Sequence, residues 1–490
     1  MPALNKASTI AKLDKLLDQN DQVSFSDVVI VGAGMAGSRL AIKLATLWKD
    51  TTCKSPKITL ISKEKEVGYN RIMLSPVLAG ETAFETTYLY DKQQYQQLDI
   101  NVLAGVSVDK IDTKNQQLSL DSGDTLGYGK LVIATGSTAR VIPFPNHQAK
   151  GVHVFRDVAD VAVLTEYAKQ GKTGLVIGGG VLGLEAACAL SLQGAAMSVV
   201  HVDNYVLNRQ LDQPAAMMLQ QELLRRKVKL ETSASTTTIE VNSCNEVTGL
   251  SLQDGRTLPA DFIVMAVGII PNTKLAIDAG LKVNRGILVD EYMHTSAKNV
   301  YAIGECVEIN EELFGMVSSV NQHVEVLLQV LTEQHSKQQW LPFISVPLAL
   351  KLKVSGIAVF SSGKISFDET ELEAIEKIEY RHIEDEHYQC LYIKDNHLVG
   401  VVLYGETGDG NFYSQLINEQ IDISKFKQDL IFGTAYCQSL LEQNDGTVSH
   451  TLVNSPAKAL TGNENNKLNL EFTSESATES ASETDITSVA

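Results

Sequence analysis

Two glycine clusters carry the first recognisable chemistry in this sequence. Gly32, Gly34 and Gly37 stand in the order Gly-x-Gly-x-x-Gly, and Gly178, Gly180 and Gly183 repeat that order 146 residues later. In such a turn the first glycine permits a tight bend. The second lets the backbone approach a pyrophosphate with no Cβ in the way, and the third allows a helix to pack closely on a strand. The helix then presents its N–H groups and positive dipole end to the phosphates. One cluster of this spacing is a weak sign, and context decides it. Here DVVIVGAGMAGSRLAIKLATL (27–47) and TGLVIGGGVLGLEAACALSLQ (173–193) both read as β-branched strand, glycine turn and apolar helix. Two dinucleotides held face to face in one chain would allow hydride transfer, which needs donor and acceptor atoms within about 3.5 Å.

The elements that must position these turns are duplicated as well. KITLIS (57–62) and MSVVHVD (197–203) follow as second strands, while GKLVIATGS (129–137) and DFIVMAVGIIPN (261–272) are buried strands ending in turns. The pattern predicts an α/β protein with two Rossmann-like nucleotide-binding domains. Residues 25–149 and 273–335 would form the first, with 150–272 inserted as the second. Beyond about 345 the segments LALKLKVSGIAVFSS, KIEYRH, YQCLYIK and HLVGVVLYGE, with a helical stretch near 411–420, predict a small α+β module over 340–440. In the N-terminal extension, 1–24, Leu13, Leu16 and Leu17 recur at helical spacing. Residues 441–490 are rich in Ser, Thr, Asn and Glu and too poor in apolar side chains to order themselves, which predicts a disordered tail.

Composition excludes other classes. A net charge of −18 over 490 residues disfavours nucleic acid. It permits a basic or metal-bearing protein partner, or reflects solubility alone. No stretch reaches the roughly 20 apolar residues of a membrane span, and the N-terminus has no secretory core, so the expectation is a cytoplasmic protein. The six cysteines, at 53, 188, 244, 306, 390 and 437, never fall within five residues of one another. That spacing offers no zinc or iron–sulfur ligand set and suits a reducing compartment. Cys188, in an apolar helical run, reads as core.

The order GxGxxG, ATGS, GxGxxGxE, AVGIIPN and YAIGE resembles the pyridine-nucleotide-dependent FAD reductases, which include rubredoxin and putidaredoxin reductases and the glutathione reductase superfamily. The resemblance implies FAD on the first turn and NADH or NADPH on the second. It also implies that Ala134, Thr135 and Gly136 touch FAD, and that Gly304 and Glu305 hold its ribityl chain, with Glu in place of the family's Asp. Gly268 to Asn272 would lie under the nicotinamide half, and Glu185 near the nicotinamide. GYNRIMLSPVLAG (68–80) resembles the flavin portion of the NAD(P)H-nitrite reductase large subunit and its nitrate-assimilation relatives. VVHVDNYVLNRQLD (199–212), ECVE (305–308) and LKLKVSGIAVFSSG (350–363) are similar to the same group, so the likeness spans about 25–435. It puts Arg71 and Ser75 beside FAD; Arg71 could equally serve a surface salt bridge. The acid that binds ribose after the second strand is not at its usual place. Ser62 ends the strand, and Glu64 either reaches the ribose or is solvated surface. In the second half His201 ends the strand, with Asp203 two residues on and Arg209 beyond. Asp203 favours NADH by repelling a 2′-phosphate, whereas Arg209 could meet one.

The departures define the chemistry further. Residues 65–80 contain no cysteine, which removes the redox pair of the disulfide reductases. Leu74-Ser75-Pro76 stands where rubredoxin-reductase relatives have LSK. Nitrite reductase large subunits continue into cysteine-rich cluster and sirohaem domains, whereas here a polar tail follows and Cys437 alone cannot hold a cluster. The expected function is therefore an NAD(P)H-dependent FAD oxidoreductase that passes electrons to a redox protein on another chain. That partner would be a nitrate or nitrite reductase subunit, with reduction of rubredoxin or ferredoxin as the alternative. An FAD-dependent NADH oxidase or peroxidase would want a redox cysteine near the flavin; Cys306 adjoins Glu305, but a neighbour of a buried turn is more often packing. A non-enzymatic redox sensor is the remaining reading. No catalytic side chain and no metal ligand is assigned. A homodimer stays open, as does the role of the 340–440 module, which could be a docking surface or only stabilise the fold.

Overall fold

The computed structural model describes residues 24–51, 56–332, 339–345, 350–354 and 356–437. The N-terminal helix, Cys53 and the polar tail expected from the sequence lie outside them.

The two halves predicted by the glycine turns share one strand order. In the first, strand Ser24–Val31 pairs in parallel with Ile58–Ser62 on one side and Thr125–Ile133 on the other. Ile100–Ala104 flanks one edge, and Val300–Ala302 joins Thr125–Ile133. In the second, Thr173–Ile177 pairs with Ala196–Val200 and Phe262–Met265, flanked by Lys229–Glu231 and Val152–Val154. Parallel strands covered on both faces must be apolar throughout, and Val28 to Val31 and Phe262 to Met265 are all buried. Each half also inserts an antiparallel meander before its return strand: Val108–Asp112 and Gln117–Leu120 in the first, Thr236–Val241, Val247–Leu252 and Thr257–Pro259 in the second. The repeated glycine turns thus sit at the same point of two copies of one topology, before helix Met35–Thr51 and before helix Val181–Leu192.

The halves are joined by a crossed ribbon. Ser137–Ala139 leaves the first sheet and Ile269–Pro271 leaves the second, and the two pair antiparallel. Thr135 Oγ1 donates to Asn272 O at 2.9 Å, and Asn272 Nδ2 donates to Thr135 O at 2.8 Å. The two exits therefore lock each other.

A five-stranded antiparallel sheet follows, in the order Leu350–Val354, Ile357–Gly363, His397–Tyr404, His387–Lys394 and Glu376–His382, with helix Gly410–Asn418. Val359, Tyr388, Tyr392 and Val402 belong to the same apolar cluster as Leu219 and Leu223 of helix Gln213–Arg225. The third module is thus packed against the second nucleotide half. The chain divides into two units at Ile431, and the site lies wholly within the first. Among the described residues no helix is long and apolar enough to cross a membrane.

Candidate functional site

The two glycine turns are built alike, atom for atom. Gly32 takes φ +112° and Gly178 takes φ +115°. A Cβ on Gly32 would overlap the carbonyl oxygen of Ala134, and one on Gly178 that of Ala266. A Cβ on Gly37 would overlap Gly32 O, and one on Gly183 would overlap Gly178 O. These four positions are closed by the protein itself. Gly34 and Gly180 differ: a Cβ there would meet nothing within 4 Å. The middle glycine of each turn faces open space at the start of a helix, the place where a pyrophosphate would approach. Gly180 is the N-cap of helix Val181–Leu192, and no side chain caps it. Both cradles fit a dinucleotide.

Around the first cradle, Glu64, Arg71 and Glu305, singled out separately in the sequence, are linked through Arg156 into one polar chain. Glu64 accepts from Tyr69 Oη at 2.6 Å and is ion-paired with Arg71. Arg71 Nη1 donates to the backbone oxygen of Arg156 at 3.0 Å. The Arg156 guanidinium is in turn ion-paired with Glu305 and donates to Ser137 Oγ at 2.8 Å, while Ser137 Oγ donates to Glu305 at 2.7 Å. Arg71 therefore serves a salt bridge, and a part-buried one. The two Glu64 oxygens each hold one partner and keep one lone pair. Arg156 belongs to the second half yet holds the carboxylate expected to meet the ribityl chain, and its buried Nε has no partner among the described residues.

Glu305 is aimed by its turn. Gly304, φ +87°, follows strand Val300–Ala302 and starts a short 3₁₀ turn. Its N–H donates to Nδ1 of His323, at 3.3 Å. His323 is fully buried between the rings of Phe314 and Phe343, and burial pushes its imidazole down to about 4. It is therefore neutral at ordinary pH and able to accept. Cys306 is buried with its thiol on Ile303 O at 3.2 Å, and burial pushes that thiol up. It is a packed thiol and not an exposed redox group.

A second contact bridges the halves. Ser75, on helix Leu74–Ala79, donates to Glu185 on helix Val181–Leu192 at 2.7 Å. Burial raises the Glu185 carboxyl above its usual range, and the Ser75 bond works against that rise. At the far end of the same helix pair Gln193 Nε2 donates to Ala79 O at 2.6 Å. Gly136 and Gly268, both at positive φ, end the two return strands and open the crossed ribbon. In the second cradle His201 Nδ1 accepts from Gly179 N–H at 3.2 Å, and its Nε2 lies 3.5 Å from Asp203. Asp203 also accepts from Asn208 at 2.9 Å, and Arg209 is exposed on the same loop.

Sequence reasoning passed over Arg156, Ser137 and His323. The available signal for Arg156 was its place in HVFRDVAD, one basic residue between strand Val152–Val154 and the N-cap Asp157. Nothing local marks its partner 149 positions away.

Duplicated cradles, the crossed ribbon and a bridge between the two fingerprint regions define a two-dinucleotide oxidoreductase fold, and comparison with known proteins agrees. Residues 26–327 match the family described as pyridine nucleotide-disulphide oxidoreductase, and residues 349–421 match the rubredoxin NAD+ reductase C-terminal domain. The chain belongs to the pyridine nucleotide-disulphide oxidoreductase family, whose members are flavin- and NAD(P)-dependent oxidoreductases. It is 36% identical over 398 residues to nitrite reductase [NAD(P)H] of Bacillus subtilis, covering 81% of this chain and 48% of that protein. It is also 36% identical over 408 residues to the assimilatory nitrate reductase electron transfer subunit of the same organism, covering 82% and 51%. The chain thus spans about half the length of these curated relatives. Among solved structures, NADH:rubredoxin oxidoreductase from Clostridium acetobutylicum superposes with a TM-score of 0.67 at 26% identity, covering 82% of this chain and 97% of that one.

Proposed function

We propose that this chain takes electrons from NADH or NADPH and passes them through FAD to a separate redox protein. The observation that carries the reading is the duplicated turn: two cradles of one construction, each closed at its first and last glycine and open at its middle one, in halves joined by a crossed ribbon. Bound FAD supplies the conversion from a two-electron hydride donor to one-electron acceptors. The protein supplies position. Gly32, Gly34 and Gly37 leave room for the FAD pyrophosphate, Ala134 to Gly136 border it, and Gly304 with Glu305 meets the ribityl chain. Glu64, Arg71 and Ser75 complete that half, formed by 25–149 and 273–335. In the half formed by 150–272, Gly178, Gly180 and Gly183 receive the NAD(P)H pyrophosphate. Glu185 and Gly268 lie on the nicotinamide side, while His201 and Asp203 read the ribose. The Asp203 carboxylate repels a 2′-phosphate and favours NADH. Hydride transfer asks no side chain to move a proton, so orientation and exclusion of water are the protein's main contribution.

The partner in this reading is a nitrate or nitrite reductase subunit, and the setting is cytoplasmic nitrogen assimilation. The names of the two 36%-identical relatives support it. A second reading, reduction of rubredoxin or a ferredoxin, is favoured by the 97% coverage of the clostridial rubredoxin oxidoreductase. Oxidation of NADH and NADPH followed with a one-electron dye, with rubredoxin and with oxygen separates them. Fast dye turnover with little oxygen uptake supports electron transfer, and rubredoxin turnover at the dye rate selects the second reading. Rapid oxygen consumption contradicts both.

A further inference from the structure

The second nucleotide half and the C-terminal sheet meet at a carboxylate that neither glycine turn contains. Asp212 ends the loop that begins at His201, and it N-caps helix Gln213–Arg225 by accepting from Ala215 N–H at 3.3 Å. Its other oxygen accepts two phenols, Tyr388 Oη at 2.6 Å and Tyr392 Oη at 2.9 Å. Both tyrosines come from strand His387–Lys394, four residues apart and so on one face. Each is 1% exposed. Burial, reinforced by the Asp212 charge, holds both phenols far above their usual range, so both remain donors.

The loop from 201 to 212 is fastened to the second glycine turn. Gly179 N–H donates to His201 Nδ1, and Leu207 N–H donates to Gly179 O at 2.9 Å. The fit is close: a Cβ on Gly179 would lie 2.8 Å from the His201 ring and 2.9 Å from Val206. Leu207 itself sits at φ +52° while 1% exposed. A leucine keeps that left-handed conformation only where its surroundings over-determine it. Those surroundings are the cluster that holds Val206, Leu207 and Leu211 together with Tyr388 and Tyr392. The C-terminal sheet and the strained Leu207 therefore belong to one continuous apolar cluster, the sheet is tied to the end of the loop through Asp212, and Leu207 grips the turn.

We propose that Tyr388 and Tyr392, acting through Asp212, are positioning residues for the nicotinamide coenzyme: the C-terminal sheet holds the 201–212 loop, and with it the 178–180 turn, in the geometry that binds the dinucleotide. The proposal rests on the reading that NAD(P)H occupies the second cradle. The physical reason is the cost of leaving a part-buried carboxylate oxygen without its two donors. Without the phenols, the Asp212 carboxylate faces an apolar wall, and the loop must move to let water reach it.

The test uses the full-length flavoprotein and ADP-ribose, a coenzyme fragment that cannot transfer hydride. Tyr388→Phe/Tyr392→Phe keeps both rings and removes both donors. The expected result is ADP-ribose binding weakened roughly tenfold by calorimetry, with KM for NADH raised by a similar factor and kcat lowered less than about twofold. Bound flavin per chain stays as in the wild type. Sheet packing alone would lower thermal stability without this split. Equal ADP-ribose affinity in variant and wild type overturns the proposal. If the double variant fails to fold, Asp212→Asn decides. It keeps an N-cap acceptor and loses the charge, and ADP-ribose binding about threefold weaker supports the proposal while equal binding overturns it. A wild type that binds no ADP-ribose and whose flavin neither coenzyme reduces defeats the underlying reading of the second cradle instead.

Discussion

Ser75 Oγ and Glu185 Oε2 lie 2.7 Å apart across 110 residues of sequence, joining the helix behind one nucleotide cradle to the helix that opens the other. Burial lifts the Glu185 carboxyl above its ordinary value of 4.5, and the serine partly restores it. An acid whose folded pKa is raised contributes stability that is complete below its unfolded value and is lost as pH rises through the folded one. Glu185→Gln removes that loss. Urea titrations at successive pH values above about 4.5 should show the variant gaining on the wild type as pH rises. Ser75→Ala should make the wild-type loss extend to higher pH. A difference between wild type and Glu185→Gln that is flat with pH contradicts the assignment.

The glycine turns give a prediction in contrasting pairs. Gly32→Ala and Gly183→Ala each drive a methyl into a backbone carbonyl, and Gly32 adds a positive φ. Such changes cost more than about 3 kcal/mol, so these variants should unfold early or fail to accumulate. Gly34→Ala and Gly180→Ala meet no neighbour within 4 Å and should fold with less than about 1 kcal/mol of change. Their loss should instead appear in ligand binding, flavin retention for Gly34→Ala and ADP-ribose affinity for Gly180→Ala. Full flavin retention by Gly34→Ala would show that no pyrophosphate lies over that turn.

Arg156 and Glu305 each expose 20% of their side chains, so solvent screens the pair only in part. Arg156→Ala leaves Glu305 without its cation and should lower stability by about 2–4 kcal/mol. Combined with Glu305→Gln, the loss should be smaller than the sum of the single losses, with a coupling of about 1–3 kcal/mol. Guanidinium titrations of the four proteins measure it, and additivity would show that the pair is not coupled.

His323 should mark the acid limit of the first half. Its folded pKa is pushed down to about 4, below its ordinary 6.5. For a base lowered in this way, stability is intact above the unfolded value and falls as pH drops through the window between 6.5 and about 4. The largest contribution is on the order of 3 kcal/mol. His323→Asn keeps an acceptor for Gly304 N–H and removes the titration. It should flatten the loss of stability and of bound flavin across that window, and an unaltered acid profile contradicts the role.

Much of this fold was legible because it is written twice. The same strand, turn and helix pattern at 27–47 and 173–193 gave two cradles, and the apolar runs after each gave the partner strands. Local signals such as Gly32 before a helix depend on neighbours in sequence, so sequence holds them. Glu64 and Arg71 each stand out in the sequence, but their pairing does not, because side-chain direction in a loop depends on where Tyr69 and Arg156 pack. The bond between Asp212 and the two tyrosines was beyond reach for the same reason. It joins a helix cap to a strand 176 and 180 residues away, and only the packing of the last sheet brings them together. Cys306, by contrast, is legible in sequence as the neighbour of a buried turn, where packing is the ordinary outcome, and the structure buries its thiol on Ile303 O.

The most direct measurement is an anaerobic titration of the purified flavoprotein with NADH, and separately NADPH, following flavin absorbance. Bleaching complete at one equivalent of coenzyme per flavin, with colour restored by a one-electron acceptor, is the predicted result. A flavin that stays oxidised with excess of both coenzymes contradicts the account.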